Sequence, residues 1–192
     1  MITRVKEIIL APKKEWAVIE GEKKPHMKVF IEYVLPLSLI AAVAAFIGYG
    51  LIGYSAFGVR IGSISWGIRY AINQWVILVG AIYLMAFIVN LLAESFGGKK
   101  DFDQAFSLIA YSYTPMLLGG IFYIFPLLSI LALLCGLYGF YILYIGIQPM
   151  MKAPSEKITV YFVVSLIAAI VVMGILSVIM SAILISSSLL IR

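Results

Sequence analysis

The sequence predicts an all-α integral membrane protein, a bundle of five transmembrane helices with an amphipathic cytoplasmic N-terminal segment. Three observations carry that expectation. The chain is 64% hydrophobic and only 12% charged, and its mean hydropathy is +1.10; soluble domains run to about 45–50% apolar and about 25% charged residues. Its apolar residues gather into runs of about 20, the length that crosses a bilayer as a helix. Its basic residues are distributed unequally between alternate connections.

Residues 1–28 form the leader. Ile2, Val5, Ile9, Pro12, Trp16 and Ile19 recur at spacings of three and four, which places them on one helical stripe. Pro12 breaks the helix and can start a second one, and Gly21 is the expected terminator. Lys13, Lys14, Trp16, Lys23 and Lys24 are the lipid- or partner-binding candidates. A basic, Trp-bearing amphipathic segment can lie in the interface against anionic headgroups. The alternative is that the stripe packs on the protein's own cytoplasmic loops. No cleavable signal peptide is expected, because a long charged leader precedes the first apolar run.

The transmembrane domain covers residues 29–192, with spans at 33–54, 70–93, 105–123, 126–147 and 158–185. Glu32 opens the first span and Pro36 is expected to kink it. The stretch from Gly58 to Ser63 connects the first two spans, and Glu94 to Asp103 forms a polar hinge. From Gln104 to Ile147 there is no charge for 44 residues, too long for one helix and right for two. Gly119, Gly120 and Pro126 bracket the expected turn.

With five spans, the leader and the second and fourth connections share one side and hold 11 of 14 basic residues. The other side holds Arg60, Arg69 and Arg192. The positive-inside rule makes the basic side cytoplasmic. The expected location is the cell (inner) membrane of a prokaryote, multi-pass, with the C-terminus outside. The net charge of +5 is spread along a membrane chain and reads as topology, with no nucleic acid implied.

Little in the spans suggests reaction chemistry. The one histidine, His26, lies in the leader, so a Ser–His or Cys–His pair inside the bundle is unavailable. Cys135 sits in an apolar run and excludes an internal disulfide. No ionisable residue lies near the centre of a span, which argues against an enzyme and a proton-coupled pump. No cofactor is expected. Glu94, Asp101 and Asp103 could ligate a hard cation, or they cap and pair locally, with Asp103 as N-cap or first-turn acid of the third span.

Two aromatic motifs are the pathway or structural candidates. In Tyr111-Ser112-Tyr113-Thr114-Pro115, the proline frees the carbonyl of Tyr111, which a Ser112 or Thr114 hydroxyl can re-satisfy. In the fourth span Tyr138, Tyr141 and Tyr144 recur every third residue. They either bond between helices or line a polar groove. Small residues at Ala41/Ala45 and Ala44/Gly48 allow close helix approach.

Taken together, Ile8-Ile9-Leu10-Ala11-Pro12-Lys13-Lys14-Glu15-Trp16, Phe96-Gly97-Gly98, Ala110-Tyr111-Ser112-Tyr113-Thr114-Pro115, Phe125-Pro126-Leu127 and Leu137-Tyr138-Gly139-Phe140-Tyr141 resemble the Yip (Ypt/Rab-interacting protein) domain family in its short prokaryotic form. The resemblance covers nearly the whole chain and implies a five-helix membrane domain. Its eukaryotic members are linked to Rab-type GTPases and vesicle traffic. Leu137-Tyr138-Gly139 lacks the acid and proline of their Asp-Leu-Tyr-Gly-Pro signature, so a Rab-binding role is not carried over. The expected function is that of a non-enzymatic membrane protein acting through membrane lipids, a cytoplasmic protein partner or a homo-oligomer. The alternative is a small permease, channel or lipid scramblase, with a path near Pro115 and the tyrosines of the fourth span.

Overall fold

A computed structural model describes residues 1–56 and 59–190. Gly58 of the first connection and Arg192 of the charge count lie outside them. Among the described residues the architecture is helical apart from a two-stranded antiparallel hairpin, β1 (Tyr54–Ala56) and β2 (Val59–Ile61), in which Ser55 pairs with Arg60.

Four helices are each long and apolar enough to cross a membrane: His26–Ile52, Ile64–Leu92, Ser129–Met151 and Ser155–Val172. The pair Phe102–Ser112 and Thr114–Ile124, bent by 40° at Tyr113, makes a fifth when the two are taken as one crossing, and in chain order it is the third span. The last helix continues to Leu190. Apolar side chains such as Val43, Phe87, Leu133 and Ile170 stay exposed on the flanks, as lipid-facing surfaces require.

The boundaries differ from expectation in instructive places. The first span begins at His26 rather than near Tyr33, because Asp103 accepts the His26 backbone N–H at 2.8 Å and its ring Nδ1 at 2.6 Å. Those bonds hold the first turn where local hydropathy alone gives no helix. Pro36 stands in the first turn of the α-helical stretch that follows a π-helical segment, Phe30–Val34, so the span runs through it without a break. Ser63 and Asp101 cap the second and third spans by accepting from the backbone N–H groups of Trp66 and Gln104.

Gly119 and Gly120 lie in the helical part of the third span, not in a turn. A Cβ on Gly119 would sit 2.8 Å from Cys135 Cβ, and one on Gly120 would collide with Ala41. They are close-packing positions, and the turn itself falls at Phe125–Leu128. The Phe96-Gly97-Gly98 hinge closes over the fourth and fifth spans. Phe96 stacks on Tyr161 with centroids 5.1 Å apart, Gly97 takes φ +76°, and Lys99 N–H donates to Met151 O at 2.7 Å.

The core is concentrated in the half of the bundle nearest the leader. Every residue from Gln104 to Ser112 is buried. It packs with Ile82, Val89, Ile142, Ile147 and Tyr161 from three other spans, and with Ile8, Trp16 and Ile19 from the leader.

Candidate functional site

The leader folds as two helices, α1 (Ile2–Leu10) and α2 (Pro12–Glu22). Pro12 occupies the first turn of α2, as expected of a residue without a backbone donor. Lys23, in left-handed conformation at φ 44°, ends α2; Gly21 does not. The pair packs along the flank of the third and fourth spans themselves rather than on connecting loops.

Trp16 anchors it. Its side chain is 1% exposed, its Nε1–H donates to Ile142 O at 3.1 Å, and its ring meets Tyr111 edge-on at 6.4 Å. A Cβ on Gly146 would lie 2.6 Å from the Trp16 ring, so only glycine leaves the slot the indole fills. Tyr138 OH adds a bond to Ile9 O at 2.7 Å. Trp16 therefore holds the leader on the bundle, with its ring covered by the protein itself.

Charge pairing ties α1 to α2 and, through one pair, the leader to the bundle. Arg4 bonds both Glu15 and Glu22 and lies 5.7 Å above the Tyr111 ring. Burial works against its charge, but the two carboxylates outweigh that and hold its pKa above the ordinary value. Lys24 pairs with Glu22 at 3.0 Å, and Lys152 of the fourth span with Glu20 at 2.7 Å. Lys6, Lys13, Lys14 and Lys23 stay exposed and make no ion pair among the described residues. A cavity of about 400 Å³ under α1 and α2 is lined by Arg4, Glu7, Glu15, Lys24, Tyr33 and Tyr111, among others.

The kink at Pro115 is a bonded structure. Thr114 Oγ1–H donates to Tyr111 O at 2.6 Å, and the Tyr33 hydroxyl bonds Thr114 Oγ1 at 2.7 Å. Tyr33 also packs edge-on against Tyr111 at 4.7 Å. Tyr111 faces the leader cavity, whereas Ser112 and Tyr113 line a second cavity of about 430 Å³ between the third and fourth spans.

The expected tyrosine candidates separate accordingly. Tyr138 stacks with Tyr141 at 5.7 Å beneath α1, and Tyr144 OH bonds Thr159 Oγ1 of the fifth span at 3.1 Å. None of the three lines the second cavity; Gly136, Gly139, Phe140 and Leu143 do. The acids separate too. Asp101 caps, Asp103 is the first-turn acid held by His26, and Glu94 sits exposed beyond the second span. Among the described residues no three such side chains come together in a metal-binding group.

Arg4, Glu15, Tyr33 and Ser112 were not singled out as site residues from sequence. Arg4 and Glu15 carried a faint signal, being charges on helices whose apolar stripe was visible. Tyr33 carried none, since its partner Thr114 is 81 positions away.

Four long apolar helices and one kinked pair, braced by a docked helical leader, define a multi-pass helical membrane protein. The chain belongs to the Yip1 domain family, which it matches over residues 6–187. It is similar to the inner membrane protein YohC of Escherichia coli strain K12, with 24% identity over 151 residues, 76% of this chain and 77% of that one. YohC of Escherichia coli O6:H1 strain CFT073 is similar to the same extent. No solved structure matches the chain.

Proposed function

We propose that this protein is a non-enzymatic member of the inner membrane of a prokaryote, with its N-terminus cytoplasmic, that acts by presenting a fixed basic cap to anionic lipid headgroups. One observation carries the reading. α1 and α2 bury Ile8, Pro12, Trp16 and Ile19 on the bundle while Lys6, Lys13, Lys14 and Lys23 remain exposed and unpaired among the described residues. A lysine near an anionic surface contributes about 1 kcal/mol, so a rigid cap with several is an electrostatic contact without needing to fold on binding. The unequal loop charge supports the cytoplasmic orientation, and the inner-membrane relative supports the location.

The test uses the full chain in nanodiscs of mixed phosphatidylglycerol and phosphatidylcholine, with co-purifying lipid counted by native mass spectrometry. Lys13→Glu/Lys14→Glu/Lys23→Glu should lose phosphatidylglycerol adducts at least tenfold relative to phosphatidylcholine. Unchanged selectivity with an intact fold would refute the lipid-headgroup reading. A cytoplasmic protein or a second copy as the contacted partner would then show as cross-links from the same lysines.

A second reading, a permease, channel or scramblase, is favoured by the two cavities that flank the kink. Flux of ions and small solutes and scrambling of lipid in proteoliposomes decide it; absence of all three removes it.

A further inference from the structure

The cavity between the third and fourth spans has features that the basic cap does not explain. Ser112, 2% exposed, lines it, and its hydroxyl has no hydrogen-bond partner among the described residues. An unsatisfied buried hydroxyl costs about 1–3 kcal/mol, so a polar atom delivered there gains more than it would elsewhere on the wall. All other lining groups are neutral, a mixture of tyrosine, serine and apolar side chains. A charged headgroup entering such walls would meet no counter-charge to offset its desolvation.

The mouth faces lipid. Leu133, Leu137 and Phe140 line the cavity yet are 61%, 55% and 42% exposed on the flank of the fourth span. The cavity is thus open toward the lipid-facing flank of the fourth span. Its volume, about 430 Å³, lies in the range of about 300–1,000 Å³ typical of small-molecule sites. That accommodates the polar end of a lipid-soluble molecule while the remainder extends into the bilayer.

Depth narrows the class further. Ser112 closes an 11-residue helix that starts at Phe102, so at about 1.5 Å per residue it lies about 16 Å along the span. That is near the middle of a hydrocarbon core about 30 Å thick. The charged phosphate of a phospholipid stays at the interface, whereas a lipid without a charged group can place a hydroxyl or carbonyl at mid-depth.

We propose that this cavity binds a neutral isoprenoid or acyl lipid through a hydroxyl or carbonyl group bonded to Ser112, with Tyr113 and Phe140 flanking it and the apolar tail leaving between Leu133 and Leu137. The shared chemistry has three ready sources: an isoprenoid alcohol, an isoprenoid quinone and a diacylglycerol.

Diazirine-bearing farnesol, ubiquinone and dioleoylglycerol, with diazirine phosphatidylglycerol as control, test it by photo-cross-linking to the full chain in proteoliposomes. At least one neutral probe should label the 129–143 segment saturably, competed by its unlabelled parent. Gly136→Leu should lower that labelling at least fivefold. A Cβ at Gly136 meets nothing closer than Met116 Sδ at 3.9 Å, so the larger side chain fills the cavity rather than clashing. Ser112→Ala should lower it about three- to tenfold, the value of one hydrogen bond. Leu137→Trp, at the exposed mouth, repeats the block should Gly136→Leu fail to fold. Labelling that is unsaturable or unchanged in these variants for all three probes overturns the proposal. So does equal labelling by the phosphatidylglycerol probe, while water as the sole partner of Ser112 gives no specific labelling and overturns it too.

Discussion

Removing Trp16 tests how the leader is held. Truncating a fully buried Trp or Phe to alanine costs about 3–5 kcal/mol in a packed core, and here the loss includes the bond from Nε1–H to Ile142 O. Ile8, Ile19, the bond from Tyr138 OH to Ile9 O and the Lys152–Glu20 ion pair would remain, so the leader loosens rather than leaving the bundle. At about 1.4 kcal/mol per tenfold, local opening should rise by about two to three and a half orders of magnitude. Hydrogen exchange of the α1 and α2 amides in the detergent-solubilised chain reads this directly, with amides of the Phe102–Ser112 helix as internal reference. Trp16→Phe keeps most of the ring and loses the hydrogen bond, for about 1 kcal/mol and about fivefold. Gly146→Leu should loosen the leader from the opposite side, because its Cβ would lie 2.6 Å from both the Trp16 ring and Leu108 Cδ1. Combined with Trp16→Ala it should cost less than the sum, since the larger side chain then fills the vacated slot. Leader protection unchanged within about threefold in Trp16→Ala would refute the docking argument, and additivity of the pair would refute the shared slot.

Three further outcomes follow from the geometry. The Glu22 carboxyl is pushed up by burial, but its bond to Lys24 and the Arg4 guanidinium outweigh this and hold it below the ordinary 4.5; the bond to Lys152 likewise lowers Glu20. A lowered folded value contributes stability above the unfolded pKa and loses it as pH falls through the folded one. Leader protection, corrected for intrinsic exchange, should therefore be flat from about pH 7 to 5 and decline below about 4.5, and Glu22→Gln should flatten the decline. Thr114→Val leaves the Tyr33 hydroxyl and the Tyr111 carbonyl without their bonds; a loss of about 2–3 kcal/mol should appear in reversible unfolding in mixed micelles. Gly120→Leu drives a side chain into Ala41 of the first span, for about 1–3 kcal/mol or more in the same assay, and Ala41→Gly should restore part of it.

Hydropathy and loop charge made the five spans legible, because both are properties of whole segments and survive errors at the ends. The ends themselves depended on single distant bonds. His26 begins a helix because Asp103, 77 positions on, accepts its N–H, and no local window contains that fact. The kink was legible in part, since Pro115 and a hydroxyl at Thr114 obey a local rule. The brace from Tyr33 was not. The leader stripe announced burial without naming a partner; Gly146 looked like one small residue among many until an indole occupied the space above it. The turn expected between Gly119-Gly120 and Pro126 lies at the Pro126 end, Phe125–Leu128, and the two glycines are contact positions rather than its edge. Glycine marks either a bend or a close contact, and only the position of Ala41 and Cys135 decides which. Ser112 and Thr114 were both read as able to satisfy the backbone; Thr114 does so, and the Ser112 hydroxyl has no partner among the described residues.

The leader and the lateral cavity meet at the same four residues, and this leads to a prediction that joins them. Arg4 lies over Tyr111, the Tyr111 carbonyl is held by Thr114, and the next two residues, Ser112 and Tyr113, line the cavity on the other side. A ligand bonded to Ser112 fixes the turn whose opposite face supports the leader. Coupling between two sites is reciprocal, and typical values run to about 1–3 kcal/mol. Saturating the chain with whichever neutral probe labels the cavity should therefore raise exchange protection of α1 and α2 by about fivefold or more. Trp16→Ala, by loosening the leader, should weaken the same probe by a matching factor. Ser112→Ala should abolish the ligand's effect on the leader while leaving the unliganded leader's protection unchanged, since Ser112 makes no bond to it. A ligand that binds without altering leader exchange would sever the two sites and confine the kink to packing.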